Sequence, residues 1–91
     1  MHASCFEVTF TIYGTVSLKE KRMVIKSITK RCQNKFNVSV VECGHHEKWQ
    51  ICSLGFALAA INKSTALQNT QKIIDYLYSD YRIEITKIDK Y

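Results

Sequence analysis

The alternation of apolar and polar residues predicts regular secondary structure joined by short turns. From Cys5 to Tyr13 every second residue is apolar, which indicates a half-buried strand. The inward side of this strand consists of Phe6, Val8, Phe10 and Ile12. The chain has three glycines and no proline, so few positions interrupt the regular elements.

A basic amphipathic helix is predicted after this strand. The segment Ser17–Glu20 has the form of a capping box, so the helix is expected to start at Ser17 or Leu18 and to end near Asn34. Its apolar residues share one arc of about 120°: Leu18, Val24, Ile25, Ile28 and Cys32. The opposite side carries Lys19, Arg22, Lys26 and Lys30. Lys21 falls inside the apolar arc, where its stem is expected to cover apolar surface while its ammonium stays in water.

Two further strands are predicted around a polar turn. Alternation from Phe36 indicates a strand that ends near Glu42 or Cys43, and Gly44–Glu47 has the composition of a hairpin connection. The next strand is expected from about Lys48 to Ile61. Its core-facing residues are Leu54, Phe56 and Leu58, and its other side carries Ser53, Gly55, Ala57 and Ala59.

A second helix and a fourth strand complete the order of elements. The helix is expected from about Ser64 to Ser79, with Thr65 and Gln68 as a capping pair. Its predicted buried stripe consists of Leu67, Ile74, Leu77 and Tyr78. The last strand, Arg82–Lys90, has Ile83 and Ile85 inward. With right-handed crossovers, this order predicts an α+β, ferredoxin-like βαββαβ sandwich, in which two helices cover one face of a four-stranded antiparallel sheet.

Length and composition set the class of protein. The 91 residues, of which 46% are hydrophobic and 23% charged, fit a single domain over residues 1–91 with one modest core. No apolar stretch is long enough to span a membrane, and the N-terminus lacks a signal-peptide pattern. Four widely spaced cysteines indicate free thiols in a reducing compartment. We therefore expect a cytoplasmic protein without membrane contact.

The net charge of +5 is concentrated in the first predicted helix. Seven cations and one anion lie between Ser17 and Lys35, whereas the rest of the chain is nearly neutral. Cations near a helix N-terminus cost roughly 0.3–1 kcal/mol each, while anions bind well there. Three interpretations remain: a solvated helix face, an acidic protein partner, or the phosphate backbone of a nucleic acid, most plausibly RNA. The candidate phosphate-binding residues are Lys19, Lys21, Arg22, Lys26 and Lys30.

The outer face of the predicted sheet suggests a different kind of partner. RNA-recognition modules of this fold stack bases on aromatic residues of the sheet, but the outward residues here include one tyrosine, Tyr13, among small or polar ones. The small residues at 53, 55, 57 and 59 favour close approach of another sheet or helix. A homodimer through the open sheet face is the alternative hypothesis, beside a plainly solvated face.

The hairpin carries the only candidates for chemistry. Cys43, His45, His46 and Cys52 lie close in sequence, but their spacing matches no standard zinc pattern. Glu42 and His45 would form a general-base pair only beside a substrate pocket. No recognised catalytic or nucleotide-binding motif is present. The sequence therefore predicts no catalytic residue, metal or cofactor, and leaves a small enzyme using Glu42 and His45 as a third hypothesis.

Several short motifs carry a family resemblance. They are S-L-K-E-K-R (Ser17–Arg22), F-N-V-S-V (Phe36–Val40), Glu42, His45, Trp49–Gln50 and Leu54–Gly55. With these motifs the chain resembles the YlxP-like proteins, a small bacterial family without an established activity. The resemblance covers essentially the whole chain and implies a ferredoxin-like fold.

The resemblance also implies a place near RNA. In many bacteria the genes of this family lie in a cluster with transcription and translation factors, including a ribosome-binding factor. Carried over position by position, the family pattern points to Lys19, Glu20, Lys21, Arg22, Glu42, His45, Trp49 and Gln50. The chain departs from the pattern at Met23, Gly44 and His46. We therefore predict an RNA- or ribosome-associated accessory protein whose first helix binds phosphates.

Overall fold

The computed structural model describes residues 1–91 and has the predicted order of elements. These are β1 (His2–Ile12), α1 (Leu18–Lys35), β2 (Ser39–Gly44), β3 (Ile51–Ala60), α2 (Lys63–Tyr78) and β4 (Ile83–Lys90). The strands form one sheet in the order β2-β3-β1-β4, and every neighbouring pair is antiparallel. The predicted ferredoxin-like sandwich is therefore confirmed.

One hydrophobic core lies between the sheet and the two helices. The inward residues of β1 and β3 are buried as predicted, and the rings of Phe6 and Phe56 stack with their centroids 5.0 Å apart. The helices cover these strands with the buried residues Ile25, Ile28, Cys32, Ala66, Ile73, Ile74 and Leu77. Burial of one face of each strand is the physical reason that the alternating pattern predicted the core-facing residues of β1 and β3 correctly.

The second strand begins later than its alternation suggested. Phe36 is the C-cap of α1, and its N–H donates to the carbonyl of Cys32. Its ring packs edge-on against Tyr76 of α2, with centroids 5.5 Å apart. Because this contact holds Phe36 beside the helices, pairing with β3 starts at Ser39. The connection between β2 and β3 is also longer than predicted, since β3 starts at Ile51.

The second helix differs from its prediction in cap and phase. Asn62 caps it by accepting a hydrogen bond from the Thr65 N–H at 2.9 Å, so the expected pairing of Thr65 with Gln68 is wrong. Leu67 and Tyr78 are 51% and 61% exposed, whereas the smaller residues at 66 and 70 are buried. Close contact with the sheet favours small side chains at these positions, which hydrophobicity alone does not reveal.

A β-bulge shapes the end of β2 that faces α1. Glu42 pairs with Leu54 and Gly44 with Ser53, so Cys43 is the extra residue. A bulge bends its strand and increases the local twist. His45 follows with a φ of 61°, in the left-handed region. The bulge and this turn bring the start of the β2–β3 connection to the N-terminal part of α1.

None of the helices is both long enough and apolar enough to cross a membrane.

Candidate nucleic-acid interface

The N-terminus of α1 is fixed by a capping arrangement close to the predicted one. The Ser17 hydroxyl accepts a hydrogen bond from the Glu20 N–H at 3.2 Å. The Glu20 carboxylate accepts a second one from the Val16 N–H at 2.8 Å, one residue before the cap. Glu20 therefore uses its carboxylate to start the helix and to offset the cations that follow it.

Lys21 is placed differently from its prediction. Its side chain is only 1% exposed, and its ammonium donates a hydrogen bond to the backbone carbonyl of His45. The same nitrogen lies 3.5 Å from the Glu42 carboxylate. The expectation that this ammonium stays in water is wrong, because the Glu42 carboxylate and the His45 carbonyl, at the bulged end of β2 and just after it, replace water as its partners. Lys21 consequently joins α1 to the hairpin and is not available to a phosphate.

The predicted pair of Glu42 with His45 is not formed by the side chains. Glu42 lies 3.5 Å from His46 Nδ1 and 3.5 Å from Lys21, while His45 contributes its backbone carbonyl. The third neighbour of Glu42 is the Cys52 thiol, at 3.9 Å. Burial and then the charge of Glu42 raise the pKa of Cys52 to about 12, so this thiol stays protonated.

The four cysteine and histidine residues of the hairpin region, whose spacing matches no standard zinc pattern, do not converge. Cys52 is buried on the helix side of the sheet, whereas Cys43 is exposed and its sulfur lies over Gly55 on the outer face. His45 and His46 are exposed in the connection. The structure contains no group of three or more histidine, cysteine, aspartate or glutamate residues arranged to hold a metal ion.

Trp49 and Gln50 hold the hairpin through their backbone. The Trp49 carbonyl accepts a hydrogen bond from the Thr15 hydroxyl at 2.9 Å, and the Gln50 carbonyl accepts one from the Ile12 N–H at 2.7 Å. These bonds attach the connection between β2 and β3 to the end of β1. The Trp49 side chain is 50% exposed at this surface. Both residues therefore support the shape of the hairpin that Lys21 contacts.

The structure separates the cations of α1 into two groups. Lys35 lies over the rings of Phe36 and Tyr76, at 5.8 Å and 5.2 Å from their centroids. Arg31 lies beside the ion pair of Asp80 and Arg82. The remaining exposed cations, which form no ion pair within the protein, are Lys19, Arg22, Lys26 and Lys30. We call these four residues the basic face of α1.

Three members of the basic face line one groove. Arg22, Lys26 and Lys30 border a groove of about 470 Å³, together with Ile25, the polar residues Thr29, Gln33 and Asn34, and the carboxylate of Glu42, which is paired with Lys21. Each cation lies four positions after the previous one along the helix, a rise of about 6 Å. The groove therefore presents a row of positive charges with hydrogen-bonding groups between them, which suits a chain of phosphates.

The outer face of the sheet is more apolar than the groove. A shallow hollow of about 230 Å³ lies over β2, β3 and the middle of β1, with Val41 and Tyr91 in its lining. Val41 is 62% exposed. The Tyr91 hydroxyl donates to Glu7 at 3.2 Å, which raises the pKa of Tyr91. The residues that sequence reasoning missed on this face are Val41 and Tyr91, although the alternation of β2 already placed Val41 outward.

The fold and this surface define a small α+β, ferredoxin-like protein with one basic helix. The chain belongs to the family described as "Protein of unknown function (DUF503)", which matches residues 4–90. A relative from Bacillus subtilis (strain 168), the "Uncharacterized protein YlxP", is 41% identical over 75 residues, which cover 82% of this chain and 82% of the relative. The family resemblance found in the sequence motifs is therefore confirmed.

A solved structure shares the architecture. The crystal structure of 30S ribosomal protein S6 from Thermotoga maritima matches with a TM-score of 0.57 and 13% sequence identity, over 99% of this chain and 87% of that chain. At this identity the match shows the common fold.

Proposed function

We propose that this protein is a cytosolic RNA- or ribosome-associated accessory factor that binds RNA phosphates through the basic face of α1. The observation that carries the proposal is the row of Arg22, Lys26 and Lys30 along one groove, with Lys19 exposed one turn earlier. Lys21 is not part of the contact surface, because its ammonium is buried against Glu42. Its role is to hold the hairpin beside the groove.

The placement of the cations supports a binding role over a stabilising one. Lys19 and Arg22 lie in the first turns of α1, where the helix dipole opposes positive charge. The same position offers free N–H groups and a positive potential to an anion. The match to a protein that is by its name part of the 30S ribosomal subunit makes ribosomal particles the first RNA to test.

The proposal is tested by reversing charge on the basic face. The triple variant Lys19→Glu, Arg22→Glu, Lys26→Glu is expected to lose co-sedimentation with ribosomal subunits and to bind structured RNA at least 100-fold more weakly, while its melting temperature stays nearly unchanged. The matched control is Lys48→Glu, Lys63→Glu, Lys90→Glu, which changes the net charge equally at exposed cations outside α1. Equal binding by the wild type and the α1 variant contradicts the proposal. Equal losses in both triple variants contradict the assignment to α1.

A second candidate function is supported by the outer sheet face. Val41 and Tyr91 are exposed there beside Gly55 and Ala57, whose small size allows a second sheet to approach to about 10 Å. The charged groups on this face have partners within one copy, since Lys87 lies 3.5 Å from Asp89 and Glu7 accepts a hydrogen bond from Tyr91, so the contact rests on the apolar and small residues. In this candidate the protein is a homodimeric interaction module.

The homodimer has a test that leaves the basic face intact. The variant Ala57→Arg is expected to convert a dimer into a monomer in sedimentation equilibrium while binding RNA like the wild type. A wild-type protein that remains monomeric at high micromolar concentration removes this candidate.

A further inference from the structure

A separate cavity opens beyond the C-terminal end of α1. It has a volume of about 360 Å³ and lies between the α1–β2 connection, the end of β3 and α2. Its apolar lining includes Phe36 and Ile73, and its polar lining includes Lys35, Asn37, Asn69 and Lys72. This volume is within the range of small-ligand sites in proteins, roughly 300–1,000 Å³.

The cavity results from the late start of β2. Pairing between β2 and β3 begins at Ser39 opposite Ala57, so the last residues of β3 have no β2 neighbour. The chain from Lys35 to Ser39 passes beside this free end of the sheet, where Phe36 packs on Tyr76 of α2. A gap with an apolar floor therefore remains between the connection and α2.

The lining suits a planar ring that is attached to a phosphate. Phe36, which has Lys35 Nζ 5.8 Å from its ring centroid and Tyr76 edge-on against it, provides an aromatic wall, and Ile73 provides a buried apolar floor. The exposed Asn37 and the half-buried Asn69 line the same cavity, and each side-chain amide offers both donors and an acceptor. Lys35 and Lys72 supply two positive charges at the same cavity. Sequence-specific RNA recognition uses this combination of stacking and edge hydrogen bonds on unpaired bases.

The cavity adjoins the groove of the basic face. Asn34 lines the groove and Lys35, the next residue, lines the cavity. Lys26 precedes Lys35 by nine residues, or about 14 Å of helix. Because nine residues also place Lys35 half a turn around α1 from Lys26, a strand whose phosphates lie along Arg22, Lys26 and Lys30 has to pass around the C-terminal end of α1 to enter the cavity.

We propose that this cavity binds one unpaired nucleotide of the RNA whose phosphates lie along α1. The inference rests on the proposed function, since the same RNA occupies both places. Fully paired RNA contacts only the basic face, whereas RNA with an unpaired base also fills the cavity. The basic face then supplies affinity, and the cavity supplies a preference among RNAs.

The test compares two RNA hairpins that differ by one unpaired 2-aminopurine in the stem. The wild type is expected to bind the bulged hairpin about tenfold more tightly than the fully paired one and to change the fluorescence of the 2-aminopurine. Asn69→Ala and Asn37→Ala are each expected to abolish this preference without changing affinity for the paired hairpin. The control Gln68→Ala, at an exposed position of α2 next to Asn69, is expected to behave like the wild type.

The outcomes separate this inference from the proposed function. Equal binding of both hairpins by the wild type overturns the cavity assignment while leaving phosphate binding intact. Failure to bind either hairpin overturns the proposed function and the cavity assignment with it. Binding of free adenosine monophosphate that is lost in Asn69→Ala, without a preference between the hairpins, also overturns the proposal, because the occupant is then a free nucleotide.

Discussion

At the scale of single residues, Lys21 shows how a cation can belong to the structure instead of the binding surface. Its ammonium is buried, and its neighbours are the Glu42 carboxylate and the His45 carbonyl. A buried ammonium that loses its anion is strongly unfavourable, whereas a partly exposed carboxylate that loses its cation regains water. Glu42 is 27% exposed, so the two partners are not equivalent.

This asymmetry gives a prediction for the stability of the two single variants. Glu42→Gln is expected to lower the free energy of unfolding by about 2 kcal/mol, because it leaves the ammonium buried without a counter-charge. Lys21→Met keeps most of the apolar stem and is expected to cost less than about 1 kcal/mol. Urea unfolding of both variants measures the difference.

The double variant provides the control. Once Lys21→Met has removed the buried charge, adding Glu42→Gln is expected to cost little, so the two effects are not additive. Equal and additive losses from the two substitutions would contradict a buried ion pair that depends on Glu42.

At the scale of elements, the chain between α2 and β4 contains an ion pair whose arginine also donates a hydrogen bond to α1. Arg82 donates to both carboxylate oxygens of Asp80, at 3.0 Å and 2.7 Å, and to the Ser27 hydroxyl at 3.2 Å. The hydrogen bonds from Arg82 lower the pKa of Asp80. The pair thereby links the turn that starts β4 to the middle of α1.

The lowered pKa of Asp80 gives a pH-dependent prediction. Stabilisation by this carboxylate is fully present above its unfolded pKa, about 3.9, and is lost as pH falls through the lower folded pKa. At pH 7, Asp80→Asn is expected to reduce the free energy of unfolding by about 1 kcal/mol. Urea unfolding should show this difference shrinking as the pH is lowered from 7 to 2.5, because the stabilisation by the charge is progressively lost below the unfolded pKa. The exposed Asp75→Asn serves as the control, and a difference that is unchanged at pH 2.5 would contradict the assignment.

The elements also show what could be predicted from the sequence. β1, β3 and α1 could be predicted from periodicity, because each buries one face and its apolar residues recur at the period of a strand or a helix. The ends of β2 and the phase of α2 could not be predicted in this way. They depend on the contact between Phe36 and Tyr76 and on the packing of the small residues Ala66 and Thr70 against the sheet. These contacts join parts of the chain that are distant in sequence.

The candidate site could also be predicted from the sequence only in part. Helical phase alone placed Lys19, Arg22, Lys26 and Lys30 on one face and Lys21 in the apolar arc. The anion that neutralises Lys21 lies 21 residues further along the chain, at a β-bulge with no sequence signature. The cavity beside Phe36 likewise could not be predicted from periodicity, since it arises where β2 and β3 stop pairing.

At the scale of the whole molecule, the net charge of the protein and its direct contacts with phosphates act on RNA binding in different ways. A basic protein attracts RNA through its overall field, which salt screens over a length of about 8–10 Å. Cations that touch phosphates release counterions instead, and each contributes about 0.7–0.9 to the slope of log affinity against log salt. The slope therefore reports the number of cations that contact phosphates, whereas the affinity at a single salt concentration does not.

The basic face predicts the size of that slope. If Lys19, Arg22, Lys26 and Lys30 each contact one phosphate, fluorescence anisotropy with a structured RNA between 50 and 200 mM salt should give a slope of about −3. Lys26→Ala is expected to reduce its magnitude by about 0.7–0.9, because one contact is lost. Lys48→Ala removes the same charge from the hairpin and is expected to leave the slope unchanged. Equal slopes for the wild type and Lys26→Ala would mean that the field of the whole protein, and not the groove of α1, holds the RNA.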